Sequence, residues 1–332
     1  MTIDTLVTGA TGFIGGHLTR RLVERGRCVR ILVRSPEQVT STLRESCELV
    51  TGDLDDLQSL SKAVRGAKWI YHCAANVSTW SPWVSYRHVN VDGVSNLLET
   101  IRREGPDLSR LLHVSSADVY GFPKQPCSEE CPLTGAGFGY GESKLQGEAL
   151  VSRYGNEFGV PVTVVRPANV IGPGSQFISR IGQELNSGMM MTIDGGRSNA
   201  GLVYIDNLVE AMILAAESST SVGECFNIRD DYDVSWKEFI ERFRTIINGH
   251  GLVINLPFPV AELLARGFES SSRLLRLKKE PLLHRLLIRI FGRTCGHDAT
   301  KIRQLCGAVT GIGFEEAMQR SCAWFLQSGN AG

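Results

Sequence analysis

Short apolar, β-branched runs alternate in the first half of the chain with longer stretches whose apolar positions recur every three to four residues. The short runs predict strands at 5–8, 28–33, 48–51, 69–74, 111–115 and 162–166. The longer ones predict amphipathic helices at 14–25, 57–65, 84–103 and 141–158. Such alternation implies parallel strands joined by crossover helices and covered on both faces, a doubly wound α/β fold. Beyond Arg166 the pattern loosens around Pro167, Gly172, Pro173 and Gly174. A helix at 177–188, a turn at Gly195-Gly196, a strand at 202–205 and helices at 208–217 and 236–247 are expected there.

The segment 257–293 differs from the rest. Leucines and isoleucines are interleaved with basic residues, and from 273 onward Arg273, Arg276, Lys278, Lys279, Arg285, Arg289 and Arg293 face only Glu280. That mixture fits an ordinary pair of helices with solvated charges, an amphipathic lid, or a surface for peripheral membrane contact.

Composition removes several classes. The 332 residues carry 35 Lys plus Arg and 35 Asp plus Glu, a balance unlike that of a chain that coats nucleic acid. With 42% hydrophobic and 21% charged residues it is a globular chain with a real core. No apolar run approaches the roughly 18 residues of a spanning helix, and the first strand begins too early for a secretory leader. The nine cysteines are scattered without CxxC pairs, which indicates neither a disulfide framework nor a metal site. A reducing, cytoplasmic setting is expected.

Candidate chemistry begins at Thr8-Gly9-Ala10-Thr11-Gly12-Phe13-Ile14-Gly15, which follows the first strand and opens the first helix. Gly9 suits a tight turn, Gly12 a close backbone approach to a pyrophosphate, and Gly15 close packing of helix on sheet. The N–H groups of the helix N-terminus face the anion. This predicts a dinucleotide-binding Rossmann domain over 1–170, with its core completed by parts of 200–230 and a smaller, mainly substrate-binding region over 171–332. The second strand ends Val33-Arg34-Ser35, with no carboxylate before Glu37. A basic residue there accommodates a 2′-phosphate, so NADP is favoured, with NAD as the alternative.

Tyr140 and Lys144 form a YxxxK pair on one face of a predicted helix. A phenol is a poor base at neutral pH, and a nearby ammonium brings its pKa toward the working range. Ser115-Ser116-Ala117-Asp118-Val119-Tyr120-Gly121 lies at the end of a strand, where ligands collect on parallel sheets.

These motifs occur in register with Gly52-Asp53-Leu54, His72-Cys73-Ala74-Ala75, Asn90-Val91-Asp92-Gly93 and Arg166-Pro167-Ala168-Asn169-Val170. Together they resemble the extended short-chain dehydrogenase/reductase superfamily over essentially the whole chain. The resemblance implies that Tyr140 is the general acid/base, Ser116 orients the reacting oxygen, and Lys144 lowers the tyrosine pKa and holds the nicotinamide ribose. It implies that Asp53 and Leu54 flank the adenine and that Ala74 and Ala75 line the pyrophosphate path. Pro167, Asn169 and Val170 would meet the nicotinamide, and Asn90 would position a relay water. Of the adjacent serines the pattern selects Ser116, leaving Ser115 structural. A homodimer built on the 84–103 and 141–158 helices is also implied.

The Ser116-Ala117-Asp118 triplet lacks the acidic pair that resembling dehydratases use for elimination. Tyr204-Ile205-Asp206-Asn207-Leu208, Phe226-Asn227-Ile228 and Ala75-Asn76-Val77-Ser78-Thr79-Trp80-Ser81-Pro82-Trp83 are similar to the 3β-hydroxysteroid dehydrogenase-type branch. In that reading Ser78, Trp80 and Trp83 serve the substrate. The expected function is NAD(P)-dependent interconversion of a secondary alcohol and ketone on a hydrophobic small molecule, sterol-like or β-keto/β-hydroxy acyl. A sugar-nucleotide 4-epimerase, with Arg197 as its diphosphate contact, is the alternative. A non-catalytic dinucleotide sensor is the third reading.

Overall fold

A computed structural model describes residues 3–328 apart from 106, 136, 187, 276, 278, 282 and 307–310. Its strands are β1 (Thr5–Thr8), β2 (Val29–Val33), β3 (Glu48–Thr51), β4 (Trp69–His72), β5 (Arg110–Val114), β6 (Val162–Pro167), β7 (Asn169–Ile171), β8 (Met189–Ile193), β9 (Leu202–Tyr204), β10 (Cys225–Ile228) and β11 (Leu252–Leu256). The first-half helices are α1 (Phe13–Glu24), α2 (Ser41–Ser46), α3 (Leu57–Val64), α4 (Trp83–Arg87), α5 (Gly93–Glu104) and α6 (Gly139–Phe158). The remainder are α7 (Gln176–Asn186), α8 (Ile205–Glu217), α9 (Trp236–Ile247), α10 (Phe258–Leu274), α11 (Arg285–Gly292), α12 (Thr300–Cys306) and α13 (Phe314–Gln327).

Seven strands form one parallel sheet in the order β3-β2-β1-β4-β5-β6-β10. Because side chains alternate across a strand, neighbours enter opposite cores. Leu6 and Leu32 pack with α3, α5 and α6, whereas Val7, Ile31 and Val33 pack against the layer that includes α1 and α8. A chain with two apolar faces per strand has to bury both, which fixes the doubly wound Rossmann-like α/β architecture. Two small parallel pairs, β7 with β9 and β8 with β11, form outside this sheet.

The 84–103 helix carries an irregularity the pattern did not predict. Between α4 and α5 the turn widens to π geometry over His88–Asp92, bracketing Asn90. Gly147 of α6 packs against this turn, and a Cβ there would collide with the Asn90 carbonyl oxygen. The strands β7, β8 and β11 and the helices α2, α12 and α13 were likewise not predicted. Several of them are held by one another and by helices rather than by the main sheet, β8 against β11 and α11, and α13 against α7 and α9, and these are long-range contacts. Of the basic residues noted in 273–293, Arg276 and Lys278 lie outside the described residues.

Candidate active site

The glycine loop joins β1 to α1 with conformations that side chains would forbid. Gly9 has φ +74°, and a Cβ there would stand 2.6 Å from the Ala74 nitrogen. At Gly15 a Cβ would run into the Gly9 carbonyl, so the helix closes directly onto the loop. Gly12 is the N-cap; no side chain caps the helix and no acid occupies its first turn. The bare amides and dipole of α1 therefore present an anion site, and the loop fits a dinucleotide pyrophosphate. Thr8 Oγ1 lies 2.7 Å from His72 Nδ1 and accepts from Ala74 N at 3.3 Å, locking the ends of β1 and β4.

Arg34 is exposed at the end of β2 and makes no hydrogen bond or ion pair among the described residues. Asp53 turns back to accept from Leu54 N at 2.6 Å, and the Leu54 carbonyl accepts from Asn96 Nδ2 at 3.0 Å. A groove of about 580 Å³ runs along α1 past His17, Arg20 and Asp206. It touches Thr11, Gly12 and Phe13 but not Arg34, Asp53, Ala74 or Ala75, so it meets the predicted dinucleotide path only at the glycine loop.

Ser116, at the end of β5, and Tyr140, in the first turn of α6, share a cavity of about 210 Å³. Burial pushes the Tyr140 phenol above its ordinary value; the Asp118 carboxylate pushes it further, and the Ser116 hydroxyl pulls it down. Lys144, one turn beyond Tyr140, is buried, and its Nζ donates to the Val114 carbonyl at 2.6 Å. Burial lowers the lysine itself to about 8.

Asn90 is buried and hydrogen-bonded within the fold. Its Oδ1 accepts from Asn76 N at 2.7 Å, and its Nδ2 donates to Asn76 O at 3.0 Å and Ser143 Oγ at 2.9 Å. Ser143 in turn donates to the Tyr140 carbonyl at 2.7 Å. The residue expected to position water thus joins the 74–80 loop to the start of α6.

Beneath the site lies a buried network. Ser115 Oγ donates to Glu148 Oε2 at 2.6 Å, and Glu148 pairs with Arg166, both side chains only 5% exposed. Arg166 Nη1 donates to the Tyr120 hydroxyl at 2.6 Å, which donates to Asn227 Oδ1 at 2.8 Å. The chain of bonds crosses from α6 through β6 to β10 and braces the strand end that carries Ser116. His72 and His113 stack 5.4 Å apart nearby, and burial holds both below the ordinary histidine range.

Pro167, Asn169 and Val170 line the catalytic cavity, as does Ser78. The Asn169 amide is anchored to the Ala200 carbonyl at 2.7 Å. Trp80 and Trp83 instead line an adjoining chamber of about 330 Å³ that shares Thr79 and Leu286 with the first. Arg197 is exposed and lines none of these cavities.

The roof comes from the 257–293 segment, for which a lid was one of the three sequence readings, though its residues were not named. Leu286 and Ile290 of α11 close over the cavity with Phe122 and Phe177, and Trp236 Nε1 pins the helix by donating to the Ile290 carbonyl at 2.9 Å. The i, i+4 spacing of Leu286 and Ile290 was a signal, but nothing local said what the face covers. Asp118 also went without a role. Its carboxyl borders the cavity, receives no hydrogen bond among the described residues, and is pushed up to about 7 by burial.

The model of the NAD dependent epimerase/dehydratase family matches residues 5–228. A curated relative from Stigmatella aurantiaca, 4-hydroxy-2-methyl-3-oxo-4-farnesyl-3,4-dihydroquinoline-1-oxide ketoreductase, is 29% identical over 91% of this chain and 91% of its own. The 2-alkyl-3-oxoalkanoate reductase of Stenotrophomonas maltophilia (strain K279a) is 27% identical over 95% and 97%. Among solved structures, that of gox2253 is 26% identical, covers 98% of this chain and 99% of that one, and superposes with a TM-score of 0.82. The chain belongs to the NAD dependent epimerase/dehydratase family and is an NAD(P)-dependent enzyme of the extended short-chain dehydrogenase/reductase type.

Proposed function

We propose that the protein reduces a ketone, or oxidises the corresponding secondary alcohol, on a hydrophobic small molecule of the sterol-like or β-keto acyl kind. The observation that carries this reading is the apolar roof. Phe122, Phe177, Leu286 and Ile290 enclose the space in front of Ser116 and Tyr140, and among the described residues no Lys or Arg lines it, Arg273 and Arg285 lying in the adjoining chamber. The ketoreductase names of two relatives agree with it.

The amides of Gly12, Phe13 and Ile14 would hold the pyrophosphate, with Asp53 and Leu54 at the adenine and Ala74 and Ala75 along the path. Arg34 is free to meet a 2′-phosphate, which favours NADP over NAD. The bound nicotinamide would supply or accept the hydride. In reduction the Tyr140 O–H gives its proton to the carbonyl oxygen, and the Ser116 hydroxyl donates a hydrogen bond to the same oxygen. Burial favours the protonated phenol, which suits proton donation. In oxidation both transfers reverse. Lys144 holds the end of β5 against α6 and keeps the two hydroxyls in register.

The test is consumption of NADPH and NADH by the purified protein against a panel of β-keto acyl and steroid ketones. Turnover of at least one ketone with net cofactor consumption is expected. Turnover of sugar nucleotides alone, with NAD retained through purification, would overturn the reading in favour of an epimerase.

A further inference from the structure

Helix α10 packs in reverse. The face it turns to the body carries Ala261, Ala265, Glu269 and Ser272, all buried. Its solvent side holds Val260, Leu263, Leu264, Phe268 and Leu274, with Leu263 71% and Leu274 83% exposed and Leu264 and Phe268 at the border of the buried face. At 100° per residue these five fall in one stripe, and exposed Leu275 and Leu277 continue it past the helix end. An ordinary surface helix does the opposite, and a contiguous apolar patch of this kind marks an interaction surface.

The chemistry around the stripe selects the partner. Arg266 and Arg273 flank it, each paired with a carboxylate, Glu262 or Glu269, that is largely withdrawn from solvent. The guanidinium groups themselves remain more than 60% exposed. Exposed Lys279 follows in the chain. A second copy docked on this face by a two-fold axis would set like charges against each other. An anionic lipid surface satisfies both the leucines and the cations. Among the described residues no helix is long and apolar enough to cross a membrane, so any lipid contact of α10 would be peripheral.

We infer that α10 docks the protein flat on an anionic lipid surface, with its leucine stripe at the headgroup–acyl boundary and Arg266, Arg273 and Lys279 at the phosphates. The inner edge of the same helix contributes Glu269 and Arg273 to the chamber lined by Trp80 and Trp83. A lipophilic molecule leaving the bilayer therefore has a covered route toward Tyr140. The docking itself does not depend on the substrate reading.

Co-sedimentation of the full chain with phosphatidylcholine vesicles and with vesicles enriched in phosphatidylglycerol tests this. Binding to the anionic vesicles, about tenfold or more tighter than to phosphatidylcholine and weakened by salt, is expected. Leu263→Ser with Phe268→Ser lowers that affinity by about tenfold without lowering the melting temperature, since neither side chain is in the core. Lys279→Glu weakens binding to the anionic vesicles alone. A wild-type chain that stays in the supernatant with both vesicle types overturns the inference, as does equal binding to both. So does light scattering in which the Leu263/Phe268 variant turns a dimer into a monomer while vesicle binding is unchanged, because the stripe is then a self-interface.

Discussion

Lys144 Nζ sits 2.6 Å from the carbonyl oxygen of Val114, tying the second turn of α6 to the end of β5. Two residues beyond that carbonyl stands Ser116, and one helical turn before the lysine stands Tyr140. The bond sets the spacing of the two hydroxyls on which the proposed chemistry depends. Its first role in this structure is positional.

Tyr140→Phe keeps the ring and removes the proton. Turnover is expected to fall by about 10²–10⁴-fold with dinucleotide affinity changed by only a few-fold, read from kcat and a cofactor titration. Wild-type rates in the variant would take Tyr140 out of the reaction.

Arg34→Asp places a carboxylate at the strand end that now offers an unpaired cation. The ratio of kcat/KM for NADPH over NADH should drop by at least about tenfold, a 1.4 kcal/mol change in discrimination. An unchanged ratio would make Arg34 a bystander.

Asp118 faces Tyr140 across the cavity and titrates near pH 7. Once ionised it makes the phenol a weaker acid, so the reductive rate should fall as pH rises through 7. Asp118→Asn is expected to remove that limb. Stability carries the same sign. The carboxyl's folded pKa is raised above its unfolded value, so stability present below about pH 4 is lost as pH climbs to 7. The variant's melting temperature should lose that slope, and a pH profile identical to wild type would show that Asp118 does not act on the tyrosine.

Gly147→Ala isolates the contact between α6 and the π turn. In an open helix alanine would stabilise by up to about 1 kcal/mol. Here the added Cβ meets the Asn90 carbonyl, and a loss of about 1–3 kcal/mol is expected from denaturant midpoints at unchanged slope. A stabilised variant would mean that the turn yields freely.

What could be read from the chain tracks what is local. The alternation of strands and helices through β6 comes from two-residue and 3.6-residue periods, and the glycine loop from three positions with steric demands of their own. Ser116 and Tyr140 were legible because each has a fixed place relative to a strand end or helix start. The role of Asn90 toward a relay water came only from the resemblance, and its partners at Asn76 and Ser143 arise only when α6 folds onto the π turn. Arg197 looked suitable by its distance from the late strand, yet the turn at Gly195 and Gly196 leaves it in solvent. The α11 roof depends on contacts more than a hundred residues away, as with Phe177, which no local pattern encodes.

The position of β10 has a consequence for how the chain is made. Its partner β6 is complete by Pro167, but β10 itself ends at Ile228. Arg166 reaches Asn227 only through Tyr120, so the brace beneath the site also waits for that strand. At about 5–20 residues per second, a ribosome takes roughly 3–12 s to supply the missing edge. During that interval the nascent chain carries an open sheet margin beside a half-formed polar network. The catalytic half therefore cannot mature ahead of the sequence that follows it.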